Sequence, residues 1–333
     1  MPNKNPVLKV TVVCALALLV VSAAFAAVAV DPALKGYAKQ TAVSGSLKSI
    51  GSDTMNNLMA LWAEGFRSFH AGVKVEVEGK GSSTAPAALI AGTASFGPMS
   101  RDMKSTEIDE FEKQFGYKPT GLRSSIDMLA VYVHKDNPIE GLTMQQVDAV
   151  FAKNRKGGYA SDIRTWGDLG LGGDWKDKPI SLYGRNSASG TYGYFKEHAL
   201  FKGDFKDEVK EQPGSSSVVQ GVASDKYAIG YSGIGYITPD VRAVPLSDET
   251  GKVSEFVAAE PENAYSGEYP MARFLYLYVN HKPGSKLDDL RAEFVRFVFS
   301  KEGQEVVVKD GYLPVPAAVA REELKSVGLQ AWY

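Results

Sequence analysis

The sequence has very little cysteine and no metal-binding pattern. Its single cysteine, Cys14, lies in an apolar run near the N-terminus. The rest of the 333-residue chain therefore excludes disulfides, a thiolate nucleophile and a cysteine metal site. The four histidines are far apart and show no metal-site spacing: His70, His134, His198 and His281. The sequence predicts no metal ion and no cofactor.

Signatures of enzymes are also missing. A nucleophile elbow needs the pattern Gly-x-Ser-x-Gly, but Ser232 is followed by Gly233 and then Ile234. A phosphate-binding loop of the Walker A type, with Gly-Lys-Ser/Thr after a four-residue gap, is absent as well. We therefore predict that the protein is not an enzyme.

The chain lacks an excess of either charge. It has 37 Lys and Arg residues against 39 Asp and Glu residues, a formal net charge of -2. This balance excludes the broad basic surface of a nucleic-acid-binding protein, so any anion must be held by a local site. A hydrophobic fraction of 44% in 333 residues is enough for one large core or for two domains.

The N-terminus has the pattern of a secretory signal peptide. Lys4 and Lys9 precede an apolar run over residues 10–21, and small residues follow up to Ala29. A membrane span needs about 20 apolar residues, so a cleaved signal over residues 1–29 is favoured over a retained anchor. A lipid-attachment cysteine normally follows a small residue, whereas Cys14 follows Val13, so we do not expect lipidation. We predict export to the periplasm.

After about Ser46, short apolar strands alternate with amphipathic helices, which is typical of an α/β fold. Apolar residues at three- and four-residue steps predict a helix over residues 54–69, capped by Ser52 or Asp53. Strict alternation predicts a strand over residues 73–78, and a second helix follows over residues 85–91.

Two apolar runs, residues 128–134 and 274–280, predict buried strands that cross between two lobes. We define lobe 1 as residues 45–132 plus 275–333 and lobe 2 as residues 133–274. Ligand sites are common in such clefts, and a ligand touching both lobes favours closure of the hinge.

The most informative segment is Arg185-Asn-Ser-Ala-Ser-Gly-Thr191. Arg185 follows a predicted strand, and Ser189, Gly190 and Thr191 begin the next helix. A guanidinium offers paired donors to an oxyanion, and a helix N-terminus offers free backbone N–H groups and a favourable dipole. This combination predicts a site for a tetrahedral oxyanion.

Earlier segments repeat the arrangement. Gly51-Ser-Asp-Thr-Met55 and Gly79-Lys-Gly-Ser-Ser-Thr-Ala85 also put small polar residues directly before helical patterns, and Phe96-Gly-Pro-Met-Ser-Arg101 ends a short strand nearby. Each segment taken alone is equally consistent with a helix cap or turn, and Arg101 with a surface ion pair to Asp102 or Glu107. Together they predict one anion site. Its candidate residues are Ser52, Asp53, Thr54, Met55, Ser82, Ser83, Ser100, Arg101, Arg185, Ser189, Gly190 and Thr191.

These four segments resemble the phosphate-binding proteins of bacterial ABC phosphate transporters. The family's phosphate-binding motif Arg-x-x-x-Ser-Gly-Thr matches Arg185 to Thr191 without a gap. Thr54 matches the first-loop threonine of the family, with Met55 offering its backbone N–H, and Ser82 matches the serine of the second loop. The resemblance implies a two-lobed periplasmic-binding-protein type II fold, with phosphate between the lobes.

The sequence departs from the family pattern at two positions. Many members have Asp where Ser100 stands, and that carboxylate accepts the proton of hydrogen phosphate and repels sulfate. Asp53, beside Thr54, is our candidate for a replacement acceptor. The family often has an acidic residue at the position of Ser187 that holds the arginine, so Arg185 needs another partner here.

We therefore predict an exported, monomeric receptor that binds inorganic phosphate and delivers it to the permease subunits of an ABC transporter in the inner membrane. Nucleic acid is not an expected partner. Three alternatives remain open at this point: a receptor for another oxyanion such as sulfate or molybdate, a secreted phosphatase, and a surface or matrix interaction protein.

Overall fold

A computed structural model describes residues 28–248 and 256–333. The predicted signal peptide, residues 1–29, lies almost wholly outside these ranges. Within them, no helix has both the length and the apolar character needed to cross a bilayer.

The described chain alternates strands and helices, which confirms the α/β prediction. The strands are β1 (Gly45–Ile50), β2 (Val73–Glu78), β3 (Gly97–Met99), β4 (Thr120–His134), β5 (Leu142–Thr143), β6 (Ser181–Arg185), β7 (Lys210–Gln212), β8 (Ala228–Gly233), β9 (Val241–Ala243), β10 (Leu246–Ser247) and β11 (Ala272–Val279). The helices are α1 (Asn56–Phe69), α2 (Ala85–Ile90), α3 (Ser105–Phe115), α4 (Met144–Phe151), α5 (Gly190–His198), α6 (Ser215–Ser224), α7 (Pro261–Ser266), α8 (Asp289–Val298), α9 (Lys301–Lys309) and α10 (Ala317–Ser326).

The largest sheet has the strand order β3-β11-β4-β8-β6-β7, with β9 also beside β4. Strand β4 changes partners along its length. Residues 120–128 pair with β11, whereas residues 129–134 pair with β8 and β9. The long β4 thus joins the two halves of the sheet, close to the crossing expected from the sequence. The lobe boundaries themselves stay a prediction.

Local predictions are accurate for most elements near the candidate site. Strand β2 has the predicted bounds, and α2 begins at Ala85 after a single 3-10 turn over Ser82–Thr84. The predicted caps of α1 are wrong. Helix α1 begins at Asn56, and its N-cap residue, Met55, makes no side-chain cap. Ser52 and Asp53 do not cap it because their side chains bond instead to residues distant in sequence.

Helix α1 anchors the loop over residues 51–55 to the core. The apolar side of α1 is fully buried, and the indole Nε1 of Trp62 donates to the carbonyl oxygen of Gly303 at 2.8 Å. The ring of Phe66 packs edge-on against Phe294 with centroids 5.3 Å apart. Burying each such side chain stabilises the fold by about 1.5–3 kcal/mol. The loop over residues 51–55 is therefore continuous with a helix that is packed firmly into the core.

The carboxyl of Asp310, directly after α9, is a pH-sensitive group beside α1. Asn57 in the first turn of α1 donates to its Oδ1 atom, but the residue is only 8% exposed. Burial raises the pKa of Asp310 to about 6 from the ordinary 3.8, because a charged carboxylate is poorly solvated there.

A raised folded-state pKa means that the folded protein holds this proton more tightly than the unfolded chain. The stabilising contribution is therefore complete below pH 3.8 and is lost as the pH rises through about 6. We expect Asp310→Asn to have a higher free energy of unfolding than wild type at pH 7.5. At pH 4 the difference between the two proteins should be smaller. Urea unfolding at both pH values measures this difference. An equal effect at the two pH values would contradict it.

Candidate functional site

Three serine hydroxyls from separate loops meet at the candidate site. Ser52 Oγ donates to Ser100 Oγ at 3.1 Å, and Ser82 Oγ lies 3.3 Å from Ser100 Oγ. The backbone N–H of Ser100 donates to Ser82 Oγ at 3.0 Å. All three residues are at most 1% exposed. The loops after β1, β2 and β3 thus bring together hydroxyls that are up to 48 residues apart in sequence.

The N-terminus of α5 faces these loops. Its N-cap, Ser189, accepts hydrogen bonds from the backbone N–H groups of Thr191 and Tyr192, as the sequence predicts for a helix start. The hydroxyl of Thr191 lies 2.9 Å from that of Thr54, and both residues are buried. A helix N-terminus and two threonine hydroxyls therefore adjoin the serine cluster.

Arg185 ends β6 and is 1% exposed. Its Nη1 atom donates to Ser215 Oγ at 2.7 Å, and its Nη2 atom donates to the carbonyl oxygen of Pro213 at 3.2 Å. The Nε atom is buried without a hydrogen-bond partner among the described residues. Burial lowers the pKa of the guanidinium, and the charge of Asp53 opposes that shift. The group therefore stays cationic.

Asp53 supplies the partner that Arg185 needs. Its Oδ2 atom lies 3.2 Å from Arg185 Nη2 and accepts the backbone N–H of Ser215 at 2.8 Å. The side chain of Asp53 is 23% exposed, in contrast to the buried arginine. Asp53 therefore balances the charge of Arg185 across the predicted cleft.

Gly190 permits the closest approach between the loops. A Cβ atom at this position would lie 2.2 Å from Ser82 Oγ and 2.5 Å from Ser100 Oγ, distances that no side chain tolerates. Gly81 has a φ of +111° and would place its Cβ 2.4 Å from the carbonyl oxygen of Ala188. The two predicted lobes therefore meet through glycine backbone at the candidate site.

The remaining candidates lie around this centre. Met55 is fully buried at the N-cap of α1, and Ser83 is exposed. Arg101 forms paired hydrogen bonds of 2.8 and 2.7 Å to Glu107, and its Nη2 atom is 3.4 Å from Ser83 Oγ. Glu107 already balances its charge, so an ion pair does form, but it is not the surface pair weighed from the sequence because Arg101 is only 6% exposed. A contact between Arg101 and an anion stays a prediction.

The structure adds residues that sequence reasoning missed. Ser215, at the start of α6, holds Arg185, while Asp127 and Arg273 form a buried ion pair beside Thr191. A sequence signal for the pair exists: each of the two crossing strands has one charged residue directly before its apolar run, and the charges are opposite. Pairing such residues requires knowledge of the strand register.

The described residues contain no group of three or more His, Cys, Asp or Glu side chains placed to hold a metal ion. The candidate site instead consists of hydroxyls, backbone N–H groups and a guanidinium. Such a set donates hydrogen bonds and matches the acceptor oxygens of an oxyanion.

Comparison with known proteins gives a family assignment. Residues 37–302 match the model of the PBP superfamily domain. The chain is 56% identical over 309 residues to the phosphate-binding protein PstS of Pseudomonas aeruginosa, covering 93% of this chain and 95% of that protein. It is 28% identical to the phosphate-binding protein PstS of Staphylococcus haemolyticus over 86% of both chains.

Solved structures support the same fold. A substrate-binding protein from Clostridium perfringens, crystallised with bound phosphate, is 26% identical with a TM-score of 0.66, covering 81% of this chain and all of that one. An ABC-type phosphate transport receptor from Vibrio cholerae matches with a TM-score of 0.59 over the same shares at 22% identity. The architecture is therefore the two-lobed one of this superfamily. The chain belongs to the PBP superfamily, in the family of phosphate-binding proteins.

Proposed function

We propose that this protein is an exported receptor that binds inorganic phosphate between its two lobes and delivers it to an ABC phosphate permease. One observation carries the proposal. Buried hydroxyls from three loops lie together with the N-terminus of α5, and the buried Arg185, whose Nε has no partner among the described residues, is paired with Asp53, the residue beside Thr54. The similarity to the Pseudomonas protein over nearly the whole chain supports the same ligand.

The residues have distinct roles in this proposal. Arg185 donates to phosphate from Nε, while Asp53 and Ser215 hold the other side of its guanidinium. Ser189 both caps α5 and directs its remaining hydroxyl hydrogen to the ligand. The other hydroxyl and backbone donors are Thr54, Met55, Ser82, Ser83, Ser100, Gly190 and Thr191, with Arg101 at the edge. Ser52 acts through Ser100, to which its hydroxyl donates.

These donors are sufficient for tight binding. A hydrogen bond to a charged group contributes about 1.5–3 kcal/mol, and micromolar binding requires about 8 kcal/mol. Several such bonds leave a surplus for the cost of closing the lobes and removing water. Since the donors lie on both predicted lobes, phosphate stabilises the closed arrangement.

Calorimetric titration of ligand-stripped protein without residues 1–29 tests the function. We expect tight phosphate binding that excess sulfate does not displace. Displacement by sulfate would indicate another oxyanion as the natural ligand, and an absence of phosphate binding would refute the proposal. Hydrolysis of a chromogenic phosphate ester would point to the phosphatase alternative.

The first variant is Arg185→Ala. We expect phosphate affinity to fall by about 100-fold or more, because a buried charged donor is lost. The control is Arg321→Ala, which removes an exposed arginine on α10, and its affinity should match wild type. Circular dichroism verifies folding. Wild-type affinity in folded Arg185→Ala would rule out the proposed role.

The second variant addresses selectivity. Both hydrogen-bonding contacts of Asp53 fall on Oδ2, so Oδ1 is the candidate acceptor for the proton of hydrogen phosphate. Asp53→Asn should reduce the ratio of phosphate to sulfate affinity by about 10-fold or more, because an uncharged amide no longer repels sulfate. Asp177→Asn, at an exposed position of the predicted lobe 2, is the control for net charge. An unchanged ratio in Asp53→Asn would assign the selectivity to another group.

The third variant is Gly190→Ala. Its methyl group would overlap Ser82 and Ser100, so we expect phosphate affinity to drop by at least about 10-fold. Gly172→Ala is the matched control, since its φ is −101° and a Cβ atom there would meet no atom within 4 Å. The control should be as stable as wild type and bind phosphate normally. Equal affinity in both variants would show that close approach at Gly190 is not required.

A further inference from the structure

A second arginine, Arg273, lies behind the proposed phosphate site with its own counter-ion. Arg273 on β11 and Asp127 on β4 are direct register partners at the point where β4 changes strands. The Nε and Nη2 atoms of Arg273 donate to Asp127 Oδ2 at 3.0 and 2.7 Å. The two side chains are 2% and 0% exposed. The pair is therefore fully removed from water.

Arg273 also contacts the phosphate-site loops directly. Its Nη1 atom donates to the carbonyl oxygen of Ser100 at 2.7 Å, and Nη2 donates to Thr191 Oγ1 at 2.9 Å. The guanidinium carbon lies 5.1 Å from the ring centroid of Tyr194, one turn along α5. One guanidinium thus holds a loop of the predicted lobe 1 and the first turn of α5 in the predicted lobe 2.

We propose that Arg273, held by Asp127, is a positioning residue that fixes the donor direction of Thr191 and the closed arrangement of the site. This inference rests on the proposed function, since it assigns the role to the phosphate site. Arg273 acts through Thr191 and Ser100 and has no ligand contact of its own in this mechanism.

The donor direction follows from the chemistry of the groups. A guanidinium has no acceptor, so Thr191 Oγ1 must accept the hydrogen bond from Arg273. The one hydroxyl hydrogen of Thr191 then points away from Arg273, towards Thr54 or the ligand. If Thr191 donates to Thr54, then the hydrogen of Thr54 is the one left for the ligand. A charged donor behind the hydroxyl also polarises it and makes it a stronger donor.

Asp127 holds Arg273 in place and also bonds to the turn after β8, which lies in the predicted lobe 2. Its Oδ1 atom accepts the backbone N–H of Ile234 at 3.0 Å, so the carboxylate binds both β11 and the turn after β8. A buried ion pair is by itself weak evidence for stability, because the cost of removing both charges from water offsets their attraction. The contacts of this pair to Ser100 and Thr191 give it a second role at the site.

The test uses the double variant Arg273→Gln/Asp127→Asn, in which both charges are removed together so that no lone charge is buried. Its thermal unfolding without ligand reports on the fold, and calorimetry reports on phosphate. We expect a folded protein with phosphate affinity reduced by about 10-fold or more, the size of one lost charged hydrogen bond. Arg273→Lys keeps the charge, but a lysine cannot contact Asp127, Ser100 and Thr191 at once. Its phosphate affinity should therefore lie between those of wild type and the double variant.

A double-mutant cycle with Thr191→Val separates positioning from a structural role. Thr191→Val removes the hydroxyl that Arg273 directs, so the Arg273→Gln/Asp127→Asn change should weaken phosphate binding by less than about 3-fold further in that background. The full loss in both backgrounds would overturn the proposed route through Thr191. Wild-type affinity in both folded Arg273→Lys and the folded double variant would overturn any role at the site.

If the double variant does not fold, the double-mutant cycle with Thr191→Val is measured with Arg273→Lys in its place. A loss of affinity that disappears in the Thr191→Val background supports the proposal, and any other result contradicts it. Wild-type protein is titrated alongside throughout. A lack of phosphate binding by wild type refutes the proposed function, whereas unchanged binding by the Arg273 variants refutes this inference alone.

Discussion

The candidate site depends on a buried cation, Arg185. A guanidinium out of water requires nearby negative charge and acceptors, and Arg185 has Asp53, Ser215 and the Pro213 carbonyl on one side. These contacts leave Nε as a donor without a partner in the described chain. The groups that balance the charge also fix the orientation of the guanidinium. Because Asp53 and Arg185 belong to different predicted lobes, their ion pair also joins the two lobes.

Hydrogen bonds within the protein also fix the orientation of the hydroxyl groups at the candidate site. Ser82 accepts the backbone N–H of Ser100, Ser189 accepts the first amides of α5, and Thr191 accepts from Arg273. Each oxygen thus accepts at least one hydrogen bond within the protein, which directs its single hydrogen towards another acceptor. A tetrahedral oxyanion has only acceptors when fully ionised, so the polarity of the network matches that class of ligand.

Charge balance and strand pairing account for much of the architecture around this centre. Strand β4 runs through both halves of the main sheet, and the pair of Asp127 and Arg273 lies one residue before the point where its partners change. Gly190 lies directly against the side chains of Ser82 and Ser100, and Gly81 lies against the backbone of Ala188. Interactions that join the two predicted lobes and interactions that orient the hydroxyls of the candidate site are therefore largely the same ones.

The sequence by itself determined the local elements and the donor types. Periodicity identified β2 and most of α1, and the segment from Arg185 to Thr191 identified the strand end and the cap of α5, because these features depend on neighbours along the chain. Only the tertiary structure decided what partners the side chains have. Asp53 bonds to Arg185 and Ser215 and does not cap α1, and Asp127 meets Arg273 from 146 residues away. Contacts of this kind depend on strand register and loop closure, which no local pattern encodes.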